Sequence, residues 1–270
     1  MIIRDYIFMV LLFFLAFFIW VRDLAWISSL ENTLPIILSL PLFIWLGWPW
    51  KFKTGRDYPQ FGSLMICSIG FVIGVLLNST FVLALSWTGI LWSWLSSRLD
   101  RESAMSIRRL LILPILAFPW LALEGDMVGW WFRLSSAWVT SKIFSIMGFD
   151  VLHEGTRIIV QGLPVGIGEP CSGINVLQSM LIAGCALAYI YLGKKPAYWL
   201  NLALLILIAW MANTARIIII CIAALTLSPE FALGLFHTYG GWFVLFMMLC
   251  LTWIIFSIQR RLLQEAPIKP

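Results

Sequence analysis

The sequence predicts an all-α polytopic membrane protein of about eight transmembrane helices, with a long outer loop that caps a site at the membrane surface. Three observations lead there. Hydrophobic residues make up 61% of the 270 and charged residues 11%, with a mean hydropathy of +0.95. A soluble domain needs far more polar surface to cover itself. Apolar runs recur along the whole chain, so the expectation is a single integral membrane domain over 1–270 with no room for a separate soluble one. Finally, the basic residues alternate between segments in the manner of cytoplasmic loops.

The runs place spans near 5–21, 34–50, 62–77, 80–97, 107–123, 171–192, 197–227 and 237–258. The first lacks a small-residue cleavage site and is followed by further spans, so it reads as a retained helix and not a signal peptide. The third and fourth form a tight hairpin about Asn78 and Ser79. With the N-terminus inside, cytoplasmic segments hold thirteen of the eighteen basic residues, among them Lys51, Lys53, Arg108, Arg109, Lys194, Lys195, Arg260 and Arg261. The outer segments hold Arg22, Arg133, Lys142 and Arg157, together with eight of the thirteen acidic residues. That bias is the positive-inside pattern, with both termini cytoplasmic in a cytoplasmic (inner) membrane. The net charge of +5 therefore belongs to loops beside the membrane and indicates no nucleic-acid partner. Many of the sixteen Trp, such as Trp48, Trp50, Trp130 and Trp131, fall near predicted span ends, as interfacial belts do.

The N-terminal spans occupy 5–123, the outer loop 124–170 and the catalytic spans 171–258. In the loop, residues from Trp130 to Met147 carry apolar side chains at helical spacing mixed with Ser, Arg and Lys. This predicts an amphipathic helix on or dipping into the membrane surface, ended by Gly148. The following segments Val151–His153, Arg157–Val160 and Gly162–Val165 alternate between Gly and Pro breaks and predict short strands.

Five cysteines, an odd number, suggest no disulfide framework. Cys67, Cys185, Cys221 and Cys250 lie inside apolar runs as small hydrophobes, whereas Cys171 stands at a boundary in Glu169-Pro170-Cys171-Ser172-Gly173. Pro170 suits a first helical turn, which would put Cys171 at the N-terminus of the sixth span, where backbone N–H groups favour a thiolate. Gly173 and Ser172 leave room for a substrate backbone. Cys171 can equally be interfacial packing. Arg216 lies about eleven residues, or roughly 16 Å, before the outer end of the seventh span. A cation there is costly and calls for an oxyanion, a thiolate, a carboxylate of the substrate, or a structural partner such as Glu169. Asn213, one turn earlier, can orient it. His237 opens the eighth span and can take the thiol proton and return it to a leaving amine. His153, in the outer loop, competes for that role.

No CxxC pair or Cys/His cluster points to a metal, and no cofactor is implied. The HExxH and GxSxG motifs and a P-loop are absent. Two other readings stand beside a nucleophilic enzyme. One is a transporter or flippase in which Arg216 binds an anionic substrate; the other is an acyltransferase with His237 as base and Cys171 structural.

Glu169-Pro170-Cys171-Ser172-Gly173, Asn213-x-x-Arg216 and His237 with Gly240-Gly241 together resemble the Cys, Arg and His motifs of the exosortase/archaeosortase family. The motifs cover about 124–258, and the eight-span layout matches the family's core. The resemblance implies a membrane-embedded cysteine protease/transpeptidase with its site on the outer face. Its substrates would be secreted proteins with a C-terminal sorting signal: a short motif such as Pro-Glu-Pro, a transmembrane helix and a basic tail. A membrane-lipid or glycan acceptor, or water for simple processing, would resolve a thioester. By the same resemblance Cys171 is the nucleophile, Arg216 the oxyanion or thiolate stabiliser and His237 the general acid/base. Glu169, Ser172, Gly173 and Asn213 support them. Archaeal relatives commonly carry Arg at the place of His237, which points to the bacterial type. Pro170 stands where many members have a small residue such as Ala.

Overall fold

The computed structural model describes residues 2–53, 61–166, 172–193, 197–227 and 235–265. The chain divides into two compact units, Met1–Glu124 and Gly125–Pro270. Described residues are mostly helical, with one small antiparallel sheet.

The first unit is built from α1 (Ile2–Val21), α2 (Leu30–Leu46), α3 (Phe61–Leu76) and α4 (Thr80–Arg98), followed by the short helices α5 (Arg101–Leu110), α6 (Ile112–Leu116) and α7 (Trp120–Glu124). α1, α3 and α4 fall where apolar runs predict spans. Asn78 takes a left-handed φ of 55° between α3 and α4, and the Ser79 side chain accepts from the Val82 N–H to cap α4, which makes the expected hairpin. Small residues let its two arms approach closely: Gly70 faces Ser86, and Gly89 faces Cys67. α2 runs four residues ahead of the expected 34–50 because Ser29 caps it, accepting from Asn32 N.

The expected span 107–123 is corrected. It is three short helices with breaks at Leu111 and at 117–119, and Pro114 and Pro119 lie in this stretch. Proline lacks the N–H that a continuous helix needs and crowds the preceding turn, so an apolar count alone overstates helix continuity there.

At one end of this unit Arg22 and Glu124 tie the hairpin down. The Arg22 guanidinium donates to the Asn78 carbonyl and to Thr80 Oγ1, both at 3.0 Å. The Glu124 carboxylate accepts from Ser79 Oγ at 2.9 Å, from Phe81 N at 3.3 Å and from Thr80 N. A carboxylate at the start of α4 satisfies amides the helix leaves unpaired and opposes its positive end. Glu124→Gln is expected to cost about 0.5–1 kcal/mol, an exposed cap's worth, read as a lower unfolding midpoint in detergent.

The second unit holds α8 (Asp126–Ile146), strands β1 (Val151–Glu154), β2 (Arg157–Val160) and β3 (Leu163–Gly166), and helices α9 (Ile174–Leu192), α10 (Ala197–Thr226) and α11 (Leu235–Glu265). α9, α10 and residues 240–263 of α11 are long and apolar enough to cross a membrane; α1 (from Asp5), α2 and α3 are shorter apolar helices. α11 exposes Phe243, Phe246, Met247, Trp253 and Ile254, a face that suits lipid and not water.

α8 replaces the predicted helix over 130–147, starting four residues earlier and ending where expected, with Gly148 at φ +88°. Its buried residues Gly129, Phe132, Ser136 and Thr140 recur every three or four positions, and the helix packs on α10. The strands form in the order β1-β2-β3, with Val151 opposite Val160 and Val160 opposite Leu163. Ile158 and Val160 of the sheet join Ala137 and Phe144 of α8 and Ile217 and Cys221 of α10 in one core, against which Val151 and Val165 also pack. The alternation read in the sequence thus seats the sheet on α8 and α10.

Candidate active site

Every motif singled out in the sequence belongs to the second unit, on α9, α10, α11 or the segment before α9. Glu169, Pro170 and Cys171 lie outside the described residues, and of His237 only the helical backbone is described. Ser172, Gly173, Asn213 and Arg216 are described in full, and they fix how the three segments meet.

α9 begins three residues later than the predicted span, which corrects its expected start at Cys171. Gly173 is the N-cap, at φ +78° and ψ 2°, and its carbonyl accepts the first helical bond from Leu177 N at 2.8 Å. Cys171 precedes this cap by two positions in the sequence. Gly173 is required twice over. The left-handed φ disfavours any side chain, and a Cβ there would lie 2.7 Å from Asn213 Cγ, closer than real contacts allow. On the other side Ser172 and Ile174 press on α8: a Cβ on Gly129 would lie 3.0 Å from Ser172 Cβ and 3.2 Å from Ile174 Cγ1. The segment after Cys171 is thus held between α8 and α10.

α10 presents Asn213 and Arg216, three residues apart on one face. Asn213 is fully buried and Arg216 is 5% exposed, so the guanidinium is inside the protein and does not snorkel to the surface. The place of this face is set by α8. Ser136 Oγ and Thr214 Oγ1 share a hydrogen bond of 2.9 Å between buried residues, and Trp210 Nε1 donates to Ser135 Oγ at 2.9 Å. These bonds flank Asn213 along the helix and fix its rotation. Ile217, next in sequence to Arg216, anchors the other side in the sheet core.

α11 brings the third motif. A Cβ on Gly241 would lie 3.1 Å from Arg216 Cζ and 3.3 Å from its Nη2, so the guanidinium lies against bare backbone of α11. His237 precedes Gly241 by four residues and shares its helical face. The Cys segment thus meets α10 at Asn213, and the His helix meets it one turn on at Arg216. His153 sits on β1 opposite Ile158, on the row of the sheet that faces the core, partly buried.

Sequence reasoning named the motif residues and missed what positions them. Gly129, Ser136 and Thr214 looked like ordinary small residues in helices. Their signal is the three- or four-residue recurrence of small side chains in α8, a closely packed face and not only an amphipathic surface. Chemically, a buried guanidinium beside a buried amide and glycine backbone is a cationic group suited to a thiolate or to the oxyanion of an acyl-transfer intermediate.

Searches of curated proteins and of solved structures return no match. A sequence profile described as transmembrane exosortase matches residues 4–254, and the chain belongs to that family.

Proposed function

We propose that this protein is a membrane-embedded cysteine peptidase/transpeptidase that removes the C-terminal sorting signal of secreted proteins. The observation that carries the reading is the meeting of three segments on α10: Gly173, two residues after Cys171, abuts Asn213, and Gly241, four after His237, abuts Arg216. Three distant stretches of chain converge on one buried cation. A nucleophile, an oxyanion stabiliser and a base need that convergence.

In this reading the Cys171 thiol gives its proton to His237, and the thiolate attacks the peptide carbonyl carbon at the cleavage motif. The carbonyl oxygen becomes an oxyanion beside Arg216. The intermediate collapses by breaking the C–N bond. The amine of the signal helix leaves with the proton from the imidazolium, and the upstream part of the substrate remains as a thioester on Cys171. A second nucleophile, an amine or hydroxyl of a lipid or glycan acceptor or water, attacks the thioester carbonyl, loses its proton to His237 and releases the thiolate. Glu169, Ser172, Gly173 and Asn213 support these groups. The chain sits in the inner membrane, both termini cytoplasmic, with Cys171 at the outer face. The substrate helix lies against the spans, its basic tail near the cytoplasmic cations.

The test is co-expression with a tagged passenger protein ending in Pro-Glu-Pro, an apolar helix and a basic tail. Gel mobility is compared with that in cells lacking the enzyme. Loss of the tail only where the enzyme is present is expected; a passenger that keeps its tail while both proteins reach the membrane overturns the activity.

A further inference from the structure

We propose that the outer edge of β3 is a strand-addition subsite for the extended cleavage segment of the substrate, and that Arg157 selects an acidic side chain there. The proposal rests on the peptidase reading above and adds where and how the peptide is held.

The hydrogen-bond alternation of the sheet shows which groups are free. Gln161 N donates to the Asp150 carbonyl at 2.9 Å, which makes this a bonded pair of the β1–β2 ladder. In an antiparallel ladder bonded and non-bonded pairs alternate, so Arg157, Ile159 and Gln161 direct their backbone groups to β1, and Ile158 and Val160 direct theirs to β3. The register of β2 with β3 sets Val160 opposite Leu163 and Ile158 opposite Val165. Leu163 and Val165 are thereby used up on β2. The Pro164 carbonyl and the N–H and carbonyl of Gly166 point away from the sheet. Among the described residues no further strand lies beyond β3.

An edge of this kind is a template for another extended chain. Pro164 lies where its missing N–H would face outward, which limits indiscriminate pairing along the edge and leaves Gly166 as its two-handed group. An antiparallel peptide whose residue stands opposite Gly166 makes two bonds with it and a third to the Pro164 carbonyl. The occupant is the substrate and not a second copy of this chain: β3 ends six residues before Ser172 in the sequence, and the exposed cation Arg157 beside this edge calls for an acidic partner.

Charge complementarity points to the residue type. Glu154, Arg157 and Gly166 form one row across the exposed face, and Leu152, Ile159 and Pro164 form the next. Gly166 has no side chain, so an added residue opposite it has Arg157 as its nearest side-chain neighbour in that row. Two strand spacings put them about 10 Å apart at the backbone, within reach of an extended Arg and a carboxylate side chain. Arg157 is exposed and, among the described residues, in no ion pair. The row thus suits an acidic residue, and the neighbouring apolar row suits apolar flanks two positions away.

Disulfide crosslinking tests the placement without relying on chemistry. Enzyme carrying Cys171→Ala and Pro164→Cys is co-expressed with passengers bearing one Cys at successive positions across the Pro-Glu-Pro region, then mildly oxidised. Strand addition is expected to crosslink alternate positions. Uniform crosslinking, none, or crosslinks only between enzyme copies overturn it. For selection, Arg157→Glu is expected to slow tail removal about tenfold, and a passenger whose acidic motif residue is replaced by Lys restores it. Equal loss with both passengers overturns selection, and Arg157→Gln, expected to lose activity without that rescue, controls for misfolding. If Cys171→Ala still removed tails, the assignment of Cys171 as nucleophile would fail, yet the crosslink pattern would still report the subsite.

Discussion

Cys171→Ala is expected to abolish tail removal outright, and Cys171→Ser to leave no more than a trace. The thiol is the only group in the proposed site that forms a bond to substrate, and deletion of a covalent nucleophile removes the whole route and does not merely weaken one step. A hydroxyl in its place has a far higher pKa, so His237 would have to generate an alkoxide where a thiolate was easily formed. Cys171→Ala should leave membrane insertion and the thermal midpoint of the protein unchanged, since Gly173 caps α9 and meets α10. The gel assay with tagged passenger, run beside a Cys221→Ala control buried in the core of the second unit, separates the two cysteines. Loss in the first and retention in the second is the expected pattern. Equal processing by Cys171→Ala removes the nucleophile assignment and favours an enzyme that uses His237 with Cys171 structural. The transporter reading, in which Cys171 is incidental, predicts no tail removal by either.

What the sequence disclosed follows from which physical signals are local. Apolar runs, Gly148 as a helix stop and the alternation of Val151 to Val165 are each short-range patterns, and they place α1, α3, α4, α8, α10 and the sheet within a few residues. The failures have local causes that counting apolar residues does not weigh. Pro114 and Pro119 lie in a run that is apolar enough to look like one span. Gly173, with its left-handed φ, delays the start of α9 past Cys171, although the apolar character and Pro170 suggested an earlier helix. The site was legible as residue types and order only. That Asn213 faces Gly173 and Arg216 faces Gly241 depends on the rotation of α10, which Ser136, Thr214 and Ile217 decide from elements far away in sequence. No pattern within a single segment encodes that meeting.

Arg216→Ala is expected to lower tail removal on the order of 10²–10³-fold, the loss that follows removal of one preorganised oxyanion donor. Burial sets this magnitude. At 5% exposure the guanidinium acts in surroundings of low dielectric, where its field on a developing negative charge is much stronger than in water. Arg216→Lys should rescue little, because an ammonium is a point charge on a flexible stem and cannot reproduce the planar fork held against the backbone at Gly241. Gly241→Ala provides the graded test. Its Cβ would meet Arg216 Cζ at 3.1 Å, so the guanidinium must shift by a few tenths of an ångström. If the geometry of Arg216 matters to the reacting carbonyl, that shift is expected to lower the rate while leaving passenger binding intact, measured as unchanged co-purification of uncut passenger in the Cys171→Ala background. Should Arg216→Ala instead abolish membrane accumulation of the enzyme, with Arg216→Lys restoring both accumulation and full processing, the residue would be a structural charge alone. The oxyanion assignment would then pass to other donors near Asn213. Loss of processing with normal accumulation and a normal unfolding midpoint is the outcome that assigns Arg216 to the chemistry, since a scaffold residue buried this deeply could not be removed without a trace in stability.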